Sequence, residues 1–89
     1  YTMDAQLKTL IDRTVPRYTE LKGKGYLIAT LADKGKKAVK GTVAAFRGFR
    51  DCLENVEEAG MIFGYSVWSK GDIAGNPAVK EAYQAGKNV

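Results

Sequence analysis

Hydrophobic residues recur at spacings of three and four along most of this chain, which is the periodicity of an amphipathic α-helix. Over residues 3–21 this spacing places apolar side chains on one face, and Pro16 is expected to kink or split the helix. Residues 37–69 form the longest periodic stretch, and as a helix it would extend about 50 Å. The pattern therefore predicts an all-α chain of extended amphipathic helices, with one long helix, rather than a compact globule.

Three regions follow from these patterns. Residues 1–36 are predicted to be a basic amphipathic helical region, and residues 37–75 a long helix whose last part associates with a membrane. Residues 76–89 are predicted to form a short tail helix, because Asn76 is a favourable N-cap and Pro77 suits the first helical position.

Two shorter segments need separate interpretation. Periodicity alone does not distinguish helix from strand in the apolar run Tyr26–Ala32. We expect a helix there, since no other segment has the pattern of a strand that could pair with it. At the other end of the chain, Gly86 is expected to terminate the tail helix.

A stripe of small side chains follows the predicted long helix and includes Gly48, Cys52, Gly60 and Gly64. Each glycine inside a soluble helix costs roughly 1 kcal/mol relative to alanine, so repeated glycines favour a face that another backbone approaches closely. We therefore expect Gly60 and Gly64 to form a helix–helix contact, which Gly48 and Cys52 extend.

The end of the same helix resembles a membrane boundary. Tyr65 and Trp68 are aromatic residues of the kind that favour the headgroup level, and the side chain of Lys70 can reach beyond it. The uncharged run Ala59–Ser69 has eleven residues. It would cross only about half of the hydrocarbon core, so insertion and interfacial association both stay open.

The formal net charge is +4, and lysines are concentrated in the first half of the chain. Lys34, Lys36, Lys37 and Lys40 are predicted to contact anionic lipid or an acidic neighbouring protein. A soluble basic module that binds nucleic acid through its phosphates is the alternative of another class. Nucleic acid is the less favoured partner, because no recognition helix or base-stacking platform accompanies the lysines.

The sequence offers little for catalysis. It has no histidine and a single cysteine, which removes the commonest general base and any paired-cysteine metal site. Glu54, Glu57 and Glu58 are interpreted as a solvated face or a partner salt bridge. No catalytic, metal-binding or cofactor-binding residue is predicted, and the chain is predicted not to be an enzyme. Its start at Tyr1 indicates a processed form or a fragment.

One stretch of the chain resembles a known family. The residues that carry the resemblance are Glu57, Gly60, Phe63, Lys70, Ile73 and Gly75. Their order and spacing are similar to those of the membrane helix of subunit g of mitochondrial ATP synthase. The chain differs from that family in having Tyr65 and Ser66 where a Gly-Glu pair is usual, and in continuing beyond Gly75 with a further helix.

The resemblance implies a non-catalytic accessory subunit that packs against other subunits of a membrane complex and supports dimers of the synthase. It also implies a location in the mitochondrial inner membrane. A small accessory subunit of a photosystem, in the thylakoid membrane, or of a respiratory complex is the close alternative.

Overall fold

A computed structural model describes residues 2–89, and over these residues the chain is an α/β protein with three α-helices and one two-stranded parallel sheet. The elements in chain order are α1 (Ala5–Thr14), β1 (Lys22–Thr30), α2 (Lys40–Asp51), β2 (Asn55–Gly64) and α3 (Pro77–Lys87). The prediction of an all-α fold is therefore wrong. The interpretation of Tyr1 as a processed or truncated start lies outside the described residues.

The long helix predicted over residues 37–75 is divided into α2, β2 and an irregular segment. Within β2, Ile62 and Gly64 are buried, whereas Met61 and Phe63, which alternate with them, are half-buried. A strand with apolar residues on both faces appears in the sequence as a continuous apolar run, so its two-residue period is hidden. The glycines that suggested a helix contact are compatible with this strand.

The run Tyr26–Ala32 was predicted to be helical for want of a partner strand, and this prediction is also wrong. Its residues up to Thr30 belong to β1, and β2 is the partner. Parallel strands need a long crossover connection, and here α2 lies within it. The chain thus contains one β–α–β unit, followed by α3.

The chain divides into two compact units. Unit 1 comprises the described residues up to Gly25 together with Val39–Ala59, so it contains α1, α2 and the amino-terminal parts of both strands. Unit 2 comprises Tyr26–Ala38 and Gly60–Val89, so it contains α3 and the carboxyl-terminal parts of both strands.

Unit 1 has a small core, in which Val39 and Leu53 are buried. Helix α1 begins after Asp4, whose carboxylate accepts a hydrogen bond from the backbone N–H of Leu7 at 2.7 Å. No residue of α1 is buried, and Leu10 is 62% exposed. The apolar face that the sequence assigns to this helix is therefore largely open to solvent.

Unit 2 has an equally small core, formed by Ile62, Ala78 and Gly64. Helix α3 begins at Pro77 with Asn76 as its N-cap, as the sequence pattern predicts. It continues to Lys87, so Gly86 lies inside the helix instead of ending it. Among residues 2–89, no helix is both long enough and apolar enough to cross a membrane.

Candidate functional site

The carboxyl ends of the two strands lie side by side in unit 2. The backbone N–H of Leu31, just after β1, donates to the carbonyl of Gly64 at the end of β2, with an N···O distance of 2.9 Å. Two further backbone bonds join the segments that follow, from Val67 N–H to Leu31 O at 2.9 Å and from Ser66 N–H to Asp33 O at 3.2 Å. We call residues 31–38 and 65–76 the carboxyl-edge loops.

The second carboxyl-edge loop starts with an unusual backbone conformation. Ser66 has a φ of 60°, which is uncommon for any residue other than glycine. Such a conformation costs of order 1–3 kcal/mol and persists where the surrounding structure holds it, often at functional sites. Here the hydrogen bond from Ser66 N–H to Asp33 O contributes to holding it.

Asp72 organises the middle of this loop. Its carboxylate accepts hydrogen bonds from the backbone N–H groups of Ser69 at 2.8 Å and Trp68 at 3.0 Å. The bond from Ser69, followed by that from Trp68, lowers the pKa of Asp72 below its usual value of 3.8. Because the folded pKa is the lower one, Asp72 stabilises the loop above pH 3.8, and this contribution is lost as the pH falls through the folded pKa.

Asn76 joins the loop to α3. Its side-chain amide donates to the carbonyl of Tyr65 at 2.9 Å, and its side-chain oxygen accepts from the N–H of Ala78 at 3.0 Å. One partly buried side chain thus caps the helix and fixes the start of the loop. The sequence indicated the cap but not the bond to Tyr65.

A cavity of about 420 Å³ opens beside these loops within unit 2. Its apolar wall is formed by Met61 and Phe63 of β2 and by Tyr65, the first residue after this strand. Polar side chains come from Lys36, Asn76 and Glu81, and Pro77 and Ala78 at the start of α3 complete the lining. The cavity can therefore accept an apolar or aromatic group with charged side chains at its margin.

Lysine side chains dominate the charge of the first carboxyl-edge loop. Lys34, Lys36 and Lys37 are exposed, while the carboxylate of Asp33 accepts a hydrogen bond from Gly35 N–H at 2.6 Å. Lys40, predicted to belong to the same group, lies at the start of α2 in unit 1. The structure thus brings three of the four predicted lysines to the carboxyl edge.

The residues predicted to lie at a membrane interface are in the second carboxyl-edge loop, not at the end of a helix. Tyr65 is half-buried, with its ring centroid 6.0 Å from that of Phe63. Trp68 is 80% exposed, and Lys70 is also exposed. The loop therefore presents an indole to solvent, three residues after the tyrosine that lines the cavity.

The four residues predicted to form a helix-packing face do not share a helix. Gly48 and Cys52 are exposed at α2, where the Cys52 thiol donates to the carbonyl of Gly48 with an S···O distance of 3.3 Å. Gly60 and Gly64 lie in β2. A β-carbon added at Gly60 would come within 3.1 Å of the Tyr26 ring, so this glycine does permit a close approach, but between strands.

Sequence reasoning missed Ser66 and Asp72. The Ser-Lys-Gly-Asp order of residues 69–72 indicates a turn, but it does not show that the Asp72 carboxylate accepts hydrogen bonds from Trp68 and Ser69. Among the described residues, no group of three or more histidine, cysteine or carboxylate side chains could hold a metal ion.

Comparisons with protein families, curated proteins and solved structures gave no match for this chain. The resemblance to ATP synthase subunit g consequently stays a prediction. The residues on which it rests lie in β2 and the second carboxyl-edge loop, where the structure has no helix.

Proposed function

We propose that this chain is an α/β ligand-binding module that holds a phosphate-bearing organic ligand, such as a nucleotide, at its carboxyl-edge loops. In open α/β sheets, ligands bind in the crevice outside the carboxyl ends of parallel strands. A shared fold does not by itself imply a shared function, so the residues at this edge have to support ligand binding.

The observation that carries the proposal is the joining of the two carboxyl-edge loops. Two backbone hydrogen bonds link them, from the N–H groups of Ser66 and Val67, and a third joins Leu31 N–H to Gly64 O at the end of β2. The bonds that Asp72 accepts fix the second loop internally, and those that Asn76 makes fix it to α3. Groups presented by such loops are held in place before a ligand arrives, which lowers the entropic cost of binding.

The side chains at this edge indicate the chemistry of the ligand. Lys34, Lys36 and Lys37 supply exposed positive charge that suits phosphate oxygens, and charge-assisted hydrogen bonds contribute about 1.5–3 kcal/mol each. Trp68 and Tyr65 offer aromatic faces for a planar ring. A ligand that combines a flat ring with a phosphate would use both sets of groups.

Trp68 makes the proposal testable without a label, because it is the only tryptophan of the chain. We would titrate the protein with ADP and with flavin mononucleotide, each against its phosphate-free counterpart, adenosine or riboflavin. Binding would be measured by calorimetry and by Trp68 fluorescence. We expect the phosphorylated member of at least one pair to bind at least tenfold more tightly and to change the Trp68 signal.

The matched variants compare two sets of three lysines. Replacing Lys34, Lys36 and Lys37 together with glutamine should weaken binding about tenfold or more, since one lost charged contact suffices for that change. A control with the same change in net charge replaces Lys22, Lys24 and Lys87, and it should bind almost normally. Equal affinity for both members of a pair would refute the phosphate contact, and absence of binding by all four compounds would refute the function proposed.

A further inference from the structure

The outer edge of β1 has no neighbouring strand among the described residues, since the sheet consists of β1 and β2 alone. Two strands by themselves are marginally stable, and parallel sheets occur almost only where both faces are covered. In unit 2, however, Ile28 of β1 is 63% exposed, whereas Ile62 of β2 is only 6% exposed. In this unit the sheet is therefore less well covered at Ile28 of β1 than at Ile62 of β2.

Over Tyr26–Thr30 this edge lacks the features that protect natural edge strands, which usually carry charged residues, proline or a bulge that prevents another strand from pairing with them. The lysines of β1 lie in its first part, in unit 1. The run Tyr26–Ala32 has no charged residue and no proline, and Ile28 and Thr30 are exposed. The edge over Tyr26–Thr30 is therefore a template for pairing.

A groove of about 180 Å³ lies next to this edge, within unit 2. None of the side chains that line it is charged; they are Tyr26, Ile28, Ile62, Ala82, Ala85, Gly86 and Val89. On α3, Tyr83 and Val79 are 69% and 50% exposed. The groove thus brings uncharged residues of both strands and of α3 together, which suits an occupant with apolar side chains.

Charge distinguishes between possible occupants. Lysines precede and follow the apolar run, with Lys22 and Lys24 on one side and Lys34, Lys36 and Lys37 on the other. A second copy pairing symmetrically through β1 would run antiparallel, so the basic ends of the two strands would meet. A complementary strand is instead apolar in its centre and acidic at its ends.

We propose that the edge of β1 over Tyr26–Thr30 binds a β-strand of a partner polypeptide, with an uncharged, β-branched centre and acidic flanks. The main-chain hydrogen bonds of the added strand supply affinity, and its alternate side chains fill the apolar groove beside Ile28. This surface is separate from the carboxyl-edge loops, and the strand pairing does not depend on a ligand there.

Three short synthetic peptides would test this pairing. The first has the sequence Asp-Glu-Val-Ile-Val-Thr-Ile-Glu-Asp, the second has proline in place of its central valine, and the third has lysines in place of its acidic residues. We expect the first to bind at least tenfold more tightly than the other two, because proline cannot donate to the ladder and lysines repel those of the chain. Hydrogen exchange should show slower exchange over Tyr26–Thr30 when the first peptide is bound.

Substitution of two residues with nearly equal exposure, Ile28 and Leu10, completes the test. Ile28→Lys should reduce binding of the first peptide at least tenfold, whereas Leu10→Lys, which changes a residue of α1 that is 62% exposed, should leave it unchanged. Absence of binding by the first peptide, or equal binding of the proline peptide, would overturn the proposal. If the free chain forms a dimer that Ile28→Lys dissociates, the occupant is a second copy and the proposal of a different partner is wrong.

Discussion

Units 1 and 2 are of similar size but are stabilised by different polar interactions. The ion pairs found among the described residues all lie in unit 1, and the side chains that form them are mostly exposed. Side chains bond to backbone groups in both units, but in unit 1 most of these bonds lie within or at the ends of helices. In unit 2, those of Asp33, Asp72 and Asn76 lie in the carboxyl-edge loops. Three of the four positive φ angles of the described chain, at Ser66, Gly71 and Gly75, are also in unit 2.

The two kinds of polar interaction have different consequences for stability and for binding. Exposed ion pairs add little to stability and hold no backbone in a special conformation. Carboxylate and amide groups that bond to backbone N–H and C=O groups fix the path of a loop, and in unit 2 that path forms the proposed binding edge. We therefore expect substitutions in unit 2 to have the larger effects, on stability and on ligand binding alike.

The largest effect is expected at Gly64, where the ends of the strands meet. A β-carbon there would lie 2.8 Å from Ile73 Cδ1 and 3.3 Å from Thr30 Cγ2, both in unit 2. Gly64→Ala should therefore reduce the free energy of unfolding by about 1–3 kcal/mol through overpacking. Urea denaturation followed by circular dichroism would measure this change.

Two further variants show whether the clash is the cause. Ile73→Val removes the Cδ1 atom, so the double variant should recover part of the loss caused by Gly64→Ala. In unit 1, a β-carbon at Gly48 of α2 would meet no atom within 4 Å, so Gly48→Ala should stabilise the chain by up to about 1 kcal/mol. A stabilising Gly64→Ala, or a destabilising Gly48→Ala, would contradict the comparison of the two units.

A smaller loss is expected at Asn76, which makes two hydrogen bonds. Asn76→Ala removes the helix cap and the bond to Tyr65 and should cost about 1–2 kcal/mol. Asn76→Asp keeps an oxygen for the cap but loses the amide that donates to Tyr65 O, so its stability should lie between those of the other two. If alanine and aspartate gave the same stability as asparagine, the side chain would not fix this loop.

The N-cap at Asn76 could be predicted from the sequence because it depends only on neighbouring residues. Asn76 and Pro77 are adjacent, and their combination depends only on the first turn of the helix that follows. The basic cluster around Lys34–Lys37 was also visible as composition, while its predicted contact with anionic lipid or an acidic protein stays a prediction. Features defined by neighbouring residues could therefore be predicted.

The failure over residues 37–75 has a non-local cause. A spacing of four between Gly60 and Gly64 fits a helix, but it also keeps two residues on the same face of a strand. Whether this segment forms a helix or a strand depends on pairing with β1, and α2 with its connections separates β1 from β2 in the sequence. The role of Asp72 depends on the path of the loop after β2, which brings the backbone N–H groups of Trp68 and Ser69 to its carboxylate.

The smallest effect is expected for the ion pair between Arg47 and Glu58 in unit 1. Two hydrogen bonds join them, at 2.9 and 3.0 Å, and the bond from Arg47 is the main reason why the pKa of Glu58 lies below its usual value of 4.5. Glu58→Gln should lower the melting temperature only slightly at neutral pH. Because the folded pKa is the lower one, the contribution of the pair is present above pH 4.5 and is lost as the pH falls through the folded pKa.

The wild-type chain and Glu58→Gln should therefore converge in melting temperature in acid, and also in concentrated salt, which screens the pair. Glu54→Gln is a suitable control, since it removes an exposed carboxylate for which no ion pair is found within residues 2–89. Melting curves of the three proteins at several pH values would measure the difference. If Glu58→Gln instead destabilised the chain as much as Gly64→Ala, unit 1 would depend on its ion pairs, and the contrast between the two units would be wrong.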